Sequence, residues 1–254
     1  MRFIIMHKTN AGWEAGGVPD QQLIANVGEL IGELARAGVL RAGEGLRASS
    51  LGARLTDTNG VADVAPGPFA GDNELPAGFE IIRAATLDDA VAWARQVAKV
   101  LGDVQLDVRP VTEPWDIGLG AKPDDVNSQR FMVLRKATAA TESGARLAPA
   151  QRAALDDLRR RAPAGHLTAE TIKPSTRGRR CKNSSDGVVF TDGPFTESKE
   201  LIAGYVIVDV SSLDEASRWC TRYVAVVGTD EADVLELEDA PGVAAVGAGN
   251  PRES

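Results

Sequence analysis

The chain has 254 residues, 43% of them hydrophobic and 25% charged, with a formal net charge of −8. Such a composition suits a soluble globular protein with room for one large core or two ordinary ones, and no apolar run approaches the roughly 20 residues needed to cross a bilayer. The acidic balance argues against general phosphate-backbone binding. Two cysteines without a Cys-x-x-Cys pair, and only two histidines, give a structural zinc or a histidine-rich centre nothing to build on.

The first eight residues turn polar too quickly for a signal peptide, and residues 3–6 read as a buried strand. With no sign of secretion, reduced thiols in a cytoplasm are expected. Leu23, Val27, Leu30, Ile31 and Leu34 then share one helical face, with Gly38 as the stop. A hairpin follows, with a strand over 53–56 turning at Asn59-Gly60. After Gly67-Pro68-Phe69 come a strand over 79–83, a helix capped by Thr86 with Trp93 on its apolar face, and a strand over 105–111. Residues 112–128, with Pro114, Gly118, Gly120 and Pro123, read as a surface linker.

The series then repeats. An offset of 126 carries Gly67-Pro68-Phe69 onto Gly193-Pro194-Phe195, Glu44 onto Glu170, Ser49 onto Ser175, Arg54 onto Arg180, Glu74 onto Glu200 and Trp93 onto Trp219. Near the start the offset is 128, pairing Phe3 with Phe131 and Lys8 with Lys136. The second copy shows a strand over 131–134, a shorter helix around Leu155 and Leu158 ended by Pro163 and Gly165, and a hairpin over 179–182 turning near Asp186-Gly187. A strand over 205–210, a helix opened by a capping box at Ser212-Leu213-Asp214-Glu215, and a strand over 234–238 complete it. The expected units are therefore 1–111 and 129–240, with a loosely ordered tail over 241–254. The order of strands and helices resembles a split, ferredoxin-like α+β unit with helices on one sheet face. Such a sheet needs a partner for its other face, so the two copies are expected to pack as an intrachain pseudo-dimer.

Several polar residues stand out as candidates. Asp192, before Gly193-Pro194-Phe195, is either the acceptor of a turn or a carboxylate held by a rigid loop for acid–base work. Glu44 and Glu170 are retained in both copies, and paired carboxylates in one pocket can divide acid from base roles. Lys8 or Lys136 with Ser49 or Ser175 offers a cation and a hydroxyl for an anionic or phenolic substrate. No histidine is placed to activate either serine. His7 and Lys8 alternate across the first strand, and His7 is expected to be a satisfied polar side chain. Arg159-Arg160-Arg161 and the cluster of Arg177, Arg179, Arg180 and Lys182 lack interleaved aromatics and are read as solvated faces, not as a nucleic-acid site. Gly-Pro-Phe lacks the amide-rich length of a phosphate loop, so no nucleotide or other cofactor is expected.

Residues 131–138, FMVLRKAT, and 191–205, TDGPFTESKELIAGY, together with Gly43-Glu44-Gly45-Leu46 and the residues around it, resemble the YCII-related family, and within it the branch marked by an Asp-Gly-Pro-Phe motif. The resemblance implies a dimeric α+β barrel of ferredoxin-like units with a pocket near the subunit junction. Some relatives are similar to dehydrochlorinases of hydroxylated aromatics, and compact relatives carry a histidine on the first helix that is proposed to work with an acid as a catalytic pair. Here the corresponding residues, 21–26 and 151–155, contain no histidine. Copy one also has Pro66 where copy two has Asp192, so one working and one decayed site is expected. Two readings follow. One is a protein binding a small polar or aromatic molecule at the repeat junction, with cofactor-free elimination or hydrolysis through Asp192, Glu44, Glu170 and Lys136. The other is a non-catalytic regulatory protein associated with an extracytoplasmic-function sigma factor, a link the family resemblance suggests. Homo-oligomerisation is compatible with both.

Overall fold

The computed structural model describes residues 1–69, 73–162 and 165–239. Pro163 and the expected tail lie outside them. In chain order the elements are β1 (Arg2–Lys8), α1 (Ala11–Glu14), α2 (Gln21–Arg36), β2 (Leu40–Gly45), β3 (Ala53–Thr58), β4 (Val61–Pro66), β5 (Pro76–Ala84), α3 (Leu87–Leu101) and β6 (Gln105–Pro110), followed by β7 (Gln129–Lys136), α4 (Ala139–Glu142), α5 (Pro149–Arg160), β8 (His166–Thr171), β9 (Gly178–Ser184), β10 (Gly187–Asp192), β11 (Ile202–Asp209), α6 (Leu213–Val227) and β12 (Glu231–Glu236). None of these helices is long and apolar enough to cross a membrane.

Local chemistry explains most boundaries. Asp20 accepts from the Leu23 amide to start α2, and Gly38, at φ 72°, lets the chain turn away after it. Asn59 and Gly60, both at positive φ, close the β3–β4 hairpin. Thr86 and Asp89 cap α3 reciprocally. At α6 the expected box is half made. Ser212 accepts from the Glu215 amide, but the Glu215 carboxylate takes the amide and hydroxyl of Ser211 instead. Gly67 and Gly193 are required sterically, since a Cβ on either would overlap the carbonyl oxygen of Ser49 or Ser175. Both glycines precede a cis proline.

The strands form two six-stranded antiparallel sheets, β10-β9-β12-β1-β11-β2 and β4-β3-β6-β7-β5-β8. Each contains a ferredoxin-like core, but neither core comes from one repeat. The first takes β1, α2 and β2 from the N-terminal copy and β11, α6 and β12 from the C-terminal copy. The second takes β7, α5 and β8 from the C-terminal copy and β5, α3 and β6 from the N-terminal copy. The copies have exchanged their first βαβ segments, so a repeat in sequence is not a unit in space.

Three apolar clusters hold the layers. Phe3, Ile5, Leu30 and Leu34 join α2 and α6 to the outer face of the first sheet. Ile82, Trp93, Val97 and Leu155 do the same for α3, α5 and the second sheet. Ile4, Met6, Phe79, Met132, Leu134, Tyr205 and Ile207 lie between the sheets. The alternation along β1 thus divides one strand between two cores. Phe79 and Tyr205 meet near the centre with ring centroids 5.0 Å apart. Bridges from Leu46 to Val111 and from Ile172 to Leu237 link the sheets at their margins. The result is an intrachain pseudo-dimer of ferredoxin-like units, a dimeric α+β barrel in one chain.

Candidate functional site

Along the strand register, the first sheet presents Arg180, Asp233, Met6, Tyr205 and Glu44 as one row. The second presents Arg54, Asp107, Leu134, Phe79 and Glu170 in the same order. Residues opposite one another in a ladder share a face, and the apolar members of both rows pack between the sheets. The two rows therefore face each other, with an arginine–aspartate pair at one end and a glutamate at the other.

In the second sheet the basic end is a closed square of charge. Arg54 donates to both Asp107 oxygens, at 2.6 and 2.9 Å, and to both Glu74 oxygens at 2.9 Å. Lys136 pairs with Glu74 and, at 2.7 Å, with Asp107. All four residues are buried, and Phe69 covers the guanidinium 4.5 Å from its ring centre. Burial pushes the Asp107 carboxyl up, but Lys136 and Arg54 together hold it below the usual range. In the first sheet Lys8 and Arg180 share Asp233, at 2.6 and 2.8 Å, under Phe195. Glu231 is 3.3 Å from Arg180, whereas Glu200, the counterpart of Glu74, is exposed. Lys8 and Lys136, the candidate substrate cations, are thus each neutralised by buried carboxylates.

Ser49 and Ser175 are buried beside these networks. Each donates its hydroxyl and backbone N–H to a carboxylate, Ser49 to Glu14 and Ser175 to Glu142. The Ser175 hydroxyl also accepts from the Phe195 amide at 3.0 Å. Glu44 and Glu170 lie within the edge strands β2 and β8. Arg130 joins Glu44 to Glu113, and Arg2 joins Glu170, at 2.6 Å, to the Glu238 carbonyl. Burial raises the Glu44 carboxyl despite Arg130, and burial followed by the charge of Glu44 raises the Tyr205 phenol. Asp192 is far away. It sits on β10, five strand spacings from Glu44 across the same sheet, or about 24 Å. Its exposed carboxylate pairs with Arg179 at 2.7 Å, and Arg179 also holds Asp214 on α6. Asp192 and Glu44 therefore do not share a site.

His7 is a satisfied buried residue, with Nδ1 2.8 Å from the Tyr223 hydroxyl. Burial, and then the charge of Lys8, lower its pKa to about 4. Because its folded pKa lies below the free value, folding holds His7 neutral and the unfolded chain takes up the proton first. Stability should fall as pH drops from about 6.5 towards 4, by ~3 kcal/mol from this group. Urea titrations should show a shallower slope in that window for His7→Gln; an unchanged slope would contradict the assignment.

The polar cavity lies elsewhere, on the outer face of the second sheet beneath α3 and α5. It encloses about 40 Å³ and is lined by Glu80, Arg135 and Arg159 together with apolar residues of both helices. A bulge shapes its floor. Ala77 is the unpaired residue of β5 opposite β7, and Arg135 donates to its carbonyl at 2.8 Å. Gly78 is required there, because a Cβ would meet the Glu170 carbonyl oxygen at 2.6 Å. Glu80 is committed, accepting from Trp93 Nε1 at 3.0 Å and from Arg159 Nε at 2.9 Å. His166 Nε2 is buried without a hydrogen bond among the described residues, 3.9 Å from Glu80. The Ala77 carbonyl is the one hydrogen-bond partner of Arg135 among the described residues, and burial lowers its pKa. The helices over this cavity come one from each copy, and it does not lie between the sheets.

Sequence reasoning missed Asp107 and Asp233, which the 126-residue offset pairs, and Glu14 and Glu142, which the 128-residue offset pairs. It also passed over Arg135, which the same 128-residue offset pairs with His7. There the informative signal was a difference between copies.

The fold and the two facing rows define an intrachain dimeric α+β barrel built by exchange between tandem ferredoxin-like repeats. The chain belongs to the YCII-related domain family, which matches it over residues 1–113 and 129–237. It is also similar to an uncharacterized protein of Rhizobium meliloti (strain 1021), with 38% identity over 45 residues, spanning 18% of this chain and 36% of that relative. No solved structure matches the chain.

Proposed function

We propose that this YCII-related protein binds a small carboxylate-bearing molecule in the cavity beneath α3 and α5. Arg135 carries this reading. A guanidinium has five N–H donors and is suited to a planar carboxylate, yet this half-buried one meets a single carbonyl among the described residues, at the wall of a cavity. The candidate acids and bases of the inner face are engaged in ion pairs, which favours binding over turnover there.

The test is a thermal-shift and calorimetric screen of purified protein against acetate, hexanoate, benzoate and inorganic phosphate, repeated on Arg135→Gln. Ligand bound to the native state raises the melting temperature by mass action. A carboxylate that stabilises the wild type and loses at least tenfold in affinity in the variant supports the reading. If no carboxylate binds, the reading fails and the alternative, a regulatory protein acting through a protein partner such as a sigma factor, becomes the better one.

A further inference from the structure

The internal repeat supplies a second copy of the cavity, and that copy is filled. Val97 corresponds to Tyr223 at the 126-residue offset, and Arg135 corresponds to His7 at 128. In the first sheet the Tyr223 ring occupies the space beneath its helix, 5.5 Å from the His7 ring between centroids, with its hydroxyl bonded to His7. Both residues are buried. In the second sheet the smaller Val97 leaves that space open, and a cation replaces the imidazole beside it.

Two further positions change in the same direction. Glu80 stands where the first sheet has Val206, and His166 where it has Leu40. Two apolar side chains of one half are thus replaced by polar ones in the other, beside the place where the aromatic ring is missing. The walls around the vacated space are apolar, formed by Val97, Leu101, Leu106, Val133, Leu147 and Leu155. Of these, Leu101 and Leu147 are half-buried and lead to the surface. The enclosed volume of about 40 Å³ holds only part of a ligand. The rest would extend past these two leucines.

Resting on the proposed binding role, we infer that the ligand is an aromatic acid, bound once per chain, whose ring takes the place that Tyr223 fills in the other half. Its carboxylate meets Arg135, as the Tyr223 hydroxyl meets His7. The first half is a closed copy of the site, plugged by its own phenol.

Calorimetry with benzoate, 4-hydroxybenzoate, cyclohexanecarboxylate and acetate tests this on the full chain. The expected result is one site per wild-type chain, with the aromatic acids at least tenfold tighter than cyclohexanecarboxylate. Val97→Tyr, which rebuilds the plug, should lose the aromatic acids at least tenfold without a fall in melting temperature. The reciprocal Tyr223→Val with His7→Arg should raise the stoichiometry towards two. If Val97→Tyr binds as the wild type does, or if aromatic and alicyclic acids bind alike while Arg135→Gln still abolishes both, the ring slot is overturned and only the carboxylate site stands. If no acid binds the wild type, the underlying binding role fails as well.

Discussion

Asp107→Ala is expected to destabilise the protein by about 3–5 kcal/mol, the range for breaking a buried ion pair from one side. Asp107 lies at 1% exposure between Arg54 and Lys136 and bonds to both. Removing it takes from both cations a carboxylate they share in a buried setting. The penalty comes from the stranded partners more than from the lost attraction. Substituting Arg54, Glu74, Asp107 and Lys136 together with apolar residues of similar volume should therefore cost less than Asp107→Ala alone. Urea denaturation of the single and quadruple variants measures the difference. A single variant within 1 kcal/mol of wild type would show that the square is solvated or rearranges freely.

Separating the repeats should abolish folding of either as a monomer. A fragment of residues 1–113 carries β1, α2 and β2, whose strand partners β11 and β12 lie in the other half. It also carries β3 to β6, which lose β7 and β8. Phe3, Ile4, Ile5 and Met6 are all essentially inaccessible in the whole chain and would be exposed together. Full burial of one such side chain contributes roughly 1.5–3 kcal/mol, so four of them outweigh the net stability of many small domains. The fragment should be unfolded when dilute, or should recover its cores only by pairing with another fragment. Circular dichroism with light scattering distinguishes these outcomes from the contradictory one, a folded monomer with a cooperative melt.

Much of the fold was legible from residues alone. The apolar run of residues 3–6, the stripe of Leu23, Val27, Leu30 and Leu34, the turn glycines and the caps all act over short distances, and they became the expected elements. The strands β2 and β8 were harder to see. Leu40-Arg41-Ala42-Gly43-Glu44-Gly45 has two glycines and little β-branching, and it is held as an edge by pairing with β11 rather than by its own propensity. That is why the strands that carry Glu44 and Glu170 are missing from the expected elements. The exchange of βαβ segments was also hidden, because similar repeats carry similar strands and sequence does not say whether β1 pairs with β5 or with β11. Near the candidate site, the shared residues are engaged with one another: Gly67 and Gly193 are required by sterics, Ser49 and Ser175 bond to Glu14 and Glu142, and the lysines pair with aspartates. The cavity arises where the copies differ, at Val97 and Tyr223 and at Arg135 and His7.

The exchanged pairing underlies the whole account, since it brings α3 and α5 from different repeats over one cavity. The most direct measurement is a set of backbone NOEs on deuterated full-length protein. The structure predicts cross-strand contacts from β1 to β11, as between Ile5 and Val206, and from β7 to β5, as between Met132 and Ile81. Contacts from β1 to β5 and β6 instead, with β7 paired to β11 and β12, would show that each repeat folds on itself and would dismantle the cavity as a shared site.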